Sequence, residues 1–424
     1  MNLRYRRLKG TRDLLLEEVE RWRWCEERWS DVLARYGYGE IRTPIIEPTE
    51  LFLRSVGAGT DIVDKEMYTF ETKGGESLTL RPEMTASVVR AYLENGLMRQ
   101  PGTVKFFYMA PMFRHDRPQA GRYRQFHQVG VEAIGSASPV LDAEVIQTAM
   151  ALFDAVDAQG VEVRVNSIGC TECRPAYLAD LSVFLREHEE MIPASMRGRI
   201  DVNPLRMYDA KDDGVQKLLA GFKPITSAIC PACRDHHEVV KGSLADLEVP
   251  FVEDPTMVRG LDYYGRTTFE FTAEAGRKQS SLAGGGRYDY LVEQCGGPPT
   301  PAVGFSIGIE RTLLHLDDDP IDPQRSRQSP VDVYMACVGE GSQRYGLAAA
   351  ELLRGYCRVE LDTSGRGMKA QAKSANLRRA RFLLVVGQDE VARQNLQLKN
   401  LDTGEQRPVA RTEVLAAVRE VLES

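Results

Sequence analysis

Arginines gathered around one aromatic ring are the first chemical feature of this sequence. Arg114, Arg117, Arg122 and Arg124 lie close together, and Phe126, Gln128 and Glu132 follow at even spacing. In a strand, alternate side chains share a face. Arg124, Phe126, Gln128 and Glu132 would therefore project from one side, and His127, Val129 and Val131 from the other. A solvated face of an antiparallel sheet explains such a row without any ligand. The further arginines next to it tip the reading toward an anion, because guanidinium groups beside a stacking aromatic suit a nucleotide polyphosphate.

A second feature is a double cysteine pair, Cys170-x-x-Cys173 and Cys230-x-x-Cys233. The spacing inside each pair is that of a tetrahedral zinc site. The long interval between the pairs exceeds a compact zinc ribbon, and free cysteines are often simply buried. The sequence alone therefore favours buried thiols over a structural zinc.

These residues need elements to hold them. Trp22, Cys25, Trp29, Val32 and Tyr36 recur at near-helical spacing, so a helix is expected over Glu17–Arg35, closed by Gly37. A short strand follows near Ile41, with Pro44 and Pro48 barring helix there. Strands are expected at Ser77–Leu80, Thr103–Arg114 and Tyr123–Ile134, the last two forming a long hairpin around the polar loop His115–Gly121. A helix is expected over Leu141–Asp157. Residues 169–249 carry both cysteine pairs and mostly helical patterns, as an insertion would. Strand character returns at Thr267–Phe271 and Ala302–Ile307, with a helix over Glu310–Leu316. Between those strands, Gly284, Gly285 and Gly286 taken alone indicate a turn. The stretch 317–330 is the clearest linker, and beyond it strands and helices alternate through a small α/β domain.

Three segments in order now resemble the motifs of class II aminoacyl-tRNA synthetases. They are Tyr36-Gly37-Tyr38 with Ile41 and Pro44; Phe113-Arg114 with Gly121 to Phe126; and Gly304 to Arg311. Two more, Val258 to Tyr264 and Ala283 to Asp289, resemble the signatures of the histidyl-tRNA synthetase family. The likeness implies an α+β catalytic core on an antiparallel sheet (1–168 and 250–318), a helical insertion (169–249), a linker (319–330) and a C-terminal α/β anticodon-binding domain (331–424).

It implies a site as well. Arg114 and Arg259 would grip the α-phosphate of ATP, and Phe126 and Arg311 would sandwich the adenine. Glu83, Thr85 and Gln128 would hold the histidine backbone, with Glu132, Tyr263, Tyr264 and Tyr288 around its imidazole. Arg117 and Gln119 would meet the tRNA. Mg²⁺ on the outer phosphates, and a homodimer built through the first motif, are implied too. Met84 departs from the pattern, since many relatives carry glycine there, which leaves the local pocket shape open.

Composition narrows the alternatives. The net charge of -7 opposes a protein that coats nucleic acid non-specifically, while residues 331–424 hold fourteen Lys and Arg against twelve Asp and Glu. No apolar run approaches the roughly 20 residues of a membrane span, and the basic start leads into no apolar signal segment. Eight cysteines in 424 residues are too few for a disulfide framework, so a cytoplasmic protein is expected. Two rivals remain: a catalytically silent relative that regulates ATP phosphoribosyltransferase, and a synthetase for another amino acid. The silent relatives usually lack the tail and several motif residues, whereas this chain has the tail with Arg114, Gln128, Glu132, Arg259 and Arg311. Arg259 to Tyr264 opposes a different amino acid.

Overall fold

The computed structural model describes residues 4–15, 17–57, 60, 62–210, 212–259, 261–275, 278–317 and 331–423. The expected linker 319–330 lies outside them. The chain divides into two compact units, 1–321 and 322–424.

The first unit is built on eight strands: β1 (Gly39–Glu40), β2 (Val104–Phe113), β3 (Gln125–Ile134), β4 (Val161–Ser167), β5 (Phe251–Glu253), β6 (Thr267–Ala275), β7 (Lys278–Arg287) and β8 (Ala302–Gly308). Their order across the sheet is β1-β2-β3-β8-β7-β6-β4-β5. The central pairs are antiparallel, and the two edge pairs, β1 with β2 and β4 with β5, are parallel. Residues 46–48, 77–80 and 68–71 form a separate three-stranded sheet.

One face of the large sheet is covered by α1 (Glu17–Arg35), α3 (Pro139–Ala155) and α6 (Ile309–Asp317), named in chain order with α2 (Thr85–Glu94). Trp22, Cys25, Trp29, Val32 and Leu33 of α1 are buried in one core with Val129, Val131 and Ala133 of β3 and with Ile146, Leu152 and Phe153 of α3. Trp29 satisfies its indole N–H on the Leu152 carbonyl at 3.0 Å. Gly37 closes α1 at φ +77°. The paired residues of β1 stop one short of Ile41, whose amide still bonds the Phe107 carbonyl at 2.8 Å.

Between β4 and β5 the chain makes the helical excursion, opening with α4 (Arg174–Glu187) and closing with α5 (Pro231–Asp246). Its Tyr177, Leu181, Leu185, Met207 and Leu218 belong to one apolar cluster with Val88 and Tyr92 of α2 and with Tyr108, Tyr263 and Tyr288.

The second unit is a five-stranded sheet in the order β10-β9-β11-β12-β13: β9 (Val333–Cys337), β10 (Val359–Leu361), β11 (Phe382–Val386), β12 (Asn395–Asn400) and β13 (Gln406–Ala410). Helices α7 (Ser342–Arg354), α8 (Met368–Leu377) and α9 (Val414–Glu423) accompany it. The first three strands are parallel, as the strand–helix alternation implies; the last two form an antiparallel hairpin.

Candidate active site

The face of the sheet opposite α1 and α3 carries the even-numbered side chains of β3, and there a cleft of about 340 Å³ opens. This face is not solvated: Glu132 is only 1% exposed. The glycine run is not a turn but the interior of β7, where Gly284 pairs with Ser306 and Gly286 with Gly304, which in turn pairs with Glu132. Glycine inside a strand marks the close approach of another group. A Cβ at Gly284 would collide with the Arg259 guanidinium, and one at Gly286 with the Tyr264 ring. The glycines thus let an arginine and a tyrosine lie flat on the sheet.

At the deep end, Glu132 accepts from Thr85 Oγ1 at 2.7 Å and from the Tyr288 hydroxyl. Burial pushes its carboxyl up to about 8, against the lowering effect of these hydroxyls. Thr85 opens α2, and Glu83 caps the same helix, accepting from the amides of Thr85 at 2.7 Å and Ala86 at 2.9 Å. Burial raises the Glu83 carboxyl as well. Tyr263 stands 3.5 Å from Glu83 Oε2 and edge-on to both Tyr264 and Tyr288. Gln128 donates to Ser306 Oγ at 3.0 Å.

At the other end are the cations. Arg114 Nε donates to the Pro82 carbonyl at 2.8 Å, and its guanidinium stands 5.3 Å from the Phe126 ring centre. Arg259 pairs with Glu270 at 2.8 Å. Arg311 donates to the carbonyls of Gly121 and Ser281. Its pKa is lowered first by burial and then by the charges of Arg122, Arg114 and Arg259. Mutually repelling arginines around one cavity are an anion site in waiting. Glu310, beside Arg311, holds α6 to β3 by accepting from the His127 amide and ring.

The structure therefore gathers Glu83, Thr85, Arg114, Phe126, Gln128, Glu132, Arg259, Tyr263, Tyr264, Tyr288 and Arg311 around one cleft. Arg117 and Gln119 are not among its lining residues; both are exposed on the hairpin loop, where Gln119 and Arg122 exchange backbone bonds. Met84 is buried and lines the cleft without closing it. Sequence reasoning missed Tyr108, which lies on this face opposite Gly130, a register that the hairpin alternation could have given. It also missed Arg206 and Asp209, which the insertion contributes to the lining. Burial pushes the Asp209 carboxyl up to about 6.

The four cysteines of the insertion converge apart from the cleft, with all four sulfurs within 4.8 Å of one another. The interval that separates the pairs in sequence is thus closed in space.

Comparison with known proteins decides the family. A family model described as histidyl-tRNA synthetase matches residues 10–174 and 213–312. The chain belongs to the histidyl-tRNA synthetase family. A second model, described as an anticodon binding domain, matches residues 332–421. The histidine–tRNA ligase of Desulforamulus reducens is 45% identical over 97% of this chain and 98% of its own length. That of Moorella thermoacetica is 44% identical over 99% of both. The crystal structure of apo S. aureus histidyl-tRNA synthetase aligns with a TM-score of 0.81 at 32% identity, covering 98% of this chain and all of that one. The activity follows: L-histidine is activated with ATP to histidyl-adenylate and pyrophosphate, and histidine is then transferred to the 3′ end of its tRNA. Among the described residues no helix is long and apolar enough to cross a membrane.

Proposed function

We propose that the cationic end of the cleft performs adenylation while the carboxylate end selects histidine. Adenylation needs the amino-acid carboxylate to attack the α-phosphate in line. That carboxylate is already ionised, so the site supplies position and positive charge, not a general base. Arg114 and Arg259 hold the α-phosphate, and Phe126 and Arg311 take the two faces of the adenine. Glu83, Thr85 and Gln128 orient the amino acid. Mg²⁺, when bound, would offset the charge of the outer phosphates. A hard cation needs only one or two protein carboxylates when phosphates supply the rest, and Glu66 and Asp116, which line the cleft with Arg114 and Arg122, would supply them.

The observation that carries the reading is the buried Glu132, bonded to hydroxyls but to no cation. With its carboxyl up near 8, Glu132 holds a proton at neutral pH. A neutral imidazole entering beside it shares that proton, giving an imidazolium–carboxylate pair without drawing a proton from water. Tyr264 partners the second ring nitrogen, and Tyr263 and Tyr288 wall the ring. Apolar substrates of similar size leave these groups unpaired, a penalty that reaches about 10⁴-fold. Glu132→Ala should raise the histidine concentration needed for ATP–pyrophosphate exchange by about 10- to 100-fold, the cost of a charge-assisted hydrogen bond, while the ATP requirement changes little. Unchanged histidine affinity and selectivity would remove Glu132 from the pocket.

Arg117 and Gln119, outside the cleft on an exposed loop, are offered to the acceptor end of the tRNA, where a guanine edge or a phosphate suits their donors. The second unit takes the anticodon region. A homodimer is supported by the groove beside the first motif, lined by Ile41, Arg42, Thr43 and Phe107 with Ile45 41% exposed. A cytoplasmic site of action fits the reaction and the eight free cysteines.

A further inference from the structure

The four cysteines of the insertion play no part in adenylation, yet they are placed more narrowly than burial alone requires. Cys170 Sγ lies 3.7 Å from Cys173 and 4.0 Å from Cys230, and Cys173 Sγ lies 4.0 Å from Cys233. Four thiolates around a zinc ion at about 2.3 Å form a tetrahedron with edges of about 3.8 Å. The observed spacings match that figure and leave room for one ion, not a cluster. All four thiols are free. From this geometry we propose that Cys170, Cys173, Cys230 and Cys233 hold one structural Zn²⁺ at the root of the insertion.

The surrounding backbone is shaped for thiolate ligands. Cys173 immediately precedes α4, and Cys230 immediately precedes α5, so two helix N-termini converge on the sulfurs. The Cys170 amide donates to Cys173 Sγ at 3.3 Å. Gly169, at φ +71°, leads into the first pair, and a Cβ there would come within 2.8 Å of Cys173 Sγ. The tight approach of this knuckle therefore requires glycine. Binding exchanges four thiol protons for the ion and leaves a net charge of -2 on the centre. The Arg174 guanidinium next to Cys170 and Cys173 offsets it.

The site joins the start of the insertion to the start of its last helix and ties it to the pocket wall. Arg174 donates from Nη1 to the Tyr264 carbonyl at 2.7 Å, and the Arg266 amide donates to the Gly169 carbonyl at 2.8 Å. Zinc at this point fixes the backbone that carries Tyr263 and Tyr264, besides stapling the insertion shut.

The full-length protein, purified without chelator, should carry one zinc per chain by elemental analysis. An organomercurial that attacks thiols should release it. Protein produced in cobalt-supplemented medium should show the visible bands of tetrahedral thiolate-bound Co²⁺. Cys230→Ser with Cys233→Ser should lose the metal, unfold at lower temperature and raise the histidine KM several-fold more than the ATP KM. If that variant fails to fold, the metal content and cobalt spectrum of the unaltered chain still decide. Folded protein with no zinc and four thiols that react freely, disulfides between these cysteines, or stoichiometric iron would each overturn the proposal.

Discussion

Two buried carboxylates in the first unit, Glu132 and Asp142, show opposite solutions to the same problem. Both are at most 1% exposed, and burial pushes each toward the neutral form. Asp142, on α3, accepts from Arg287 Nε at 3.0 Å, from His236 Nε2 at 2.8 Å and from Thr267 Oγ1 at 2.6 Å. Hydrogen bonds and charge from His236 and Arg287 outweigh its burial and hold its carboxyl below the usual range. Glu132 has only hydroxyl partners, and its carboxyl rises to about 8. The fold supplies its own cations where it needs a joint, and places none beside Glu132. The Asp142 joint fastens β7, through Arg287, to α3 and to α5 of the insertion, so it sets the wall that carries Tyr288.

The comparison breaks most sharply at Asp142. Asp142→Ala leaves the fully buried Arg287 with Asp289, at 3.0 Å, as its remaining carboxylate partner, and removing one partner of a buried pair costs up to about 3–5 kcal/mol. The unfolding transition of the first unit should fall accordingly in urea. Replacing Asp142, His236 and Arg287 together with apolar residues of similar size should recover much of the loss. A single variant within about 1 kcal/mol of the parent would mean the network carries no strain of charge.

Glu132→Gln should act in the reverse sense on the protein measured without substrates. Because the folded carboxyl lies near 8 and its ordinary value is 4.5, the folded chain binds the extra proton between these values. The parent's stability from this group therefore falls as pH rises from about 4.5 to about 8. The amide escapes that penalty, so the variant should gain stability over the parent, by up to a few kcal/mol at pH 8 and little at pH 4.5, where each tenfold proton affinity is about 1.4 kcal/mol. Asp142 has the opposite sign: its contribution is present above the ordinary value of 3.8 and lost as pH falls through its lowered folded value. A Glu132→Gln difference that does not vary with pH would refute the contrast.

The smallest effect belongs to the exposed loop, where no burial amplifies anything. Gln119→Ala should lower tRNA charging several-fold and leave ATP–pyrophosphate exchange and folding nearly unchanged. Unaltered charging would remove Gln119 from tRNA recognition.

Local pattern was enough for much of this protein. Alternation put Phe126, Gln128 and Glu132 on one face, and helical spacing gave α1 over the residues observed. The same rule applied to Val161, Val163 and Val165 would have shown β4, which went unread. The hairpin of β12 and β13 and the helix α9 were also unread; β12 alternates Leu396 and Leu398 inward.

What local pattern cannot carry is distance between remote segments. The glycines of β7 looked like a turn because their purpose lies in Arg259 and Tyr264, which approach from another part of the chain. Arg206 and Asp209 reach the cleft only because the insertion folds back over it, and the cysteine pairs meet only because α4 and α5 begin at the same point. Periodicity follows from the backbone geometry of each element, so the sequence by itself determined the elements and the chemistry each face presents. Burial, and with it the opposite protonation of Glu132 and Asp142, depends on which charges other elements bring within reach, and only the tertiary structure decided that.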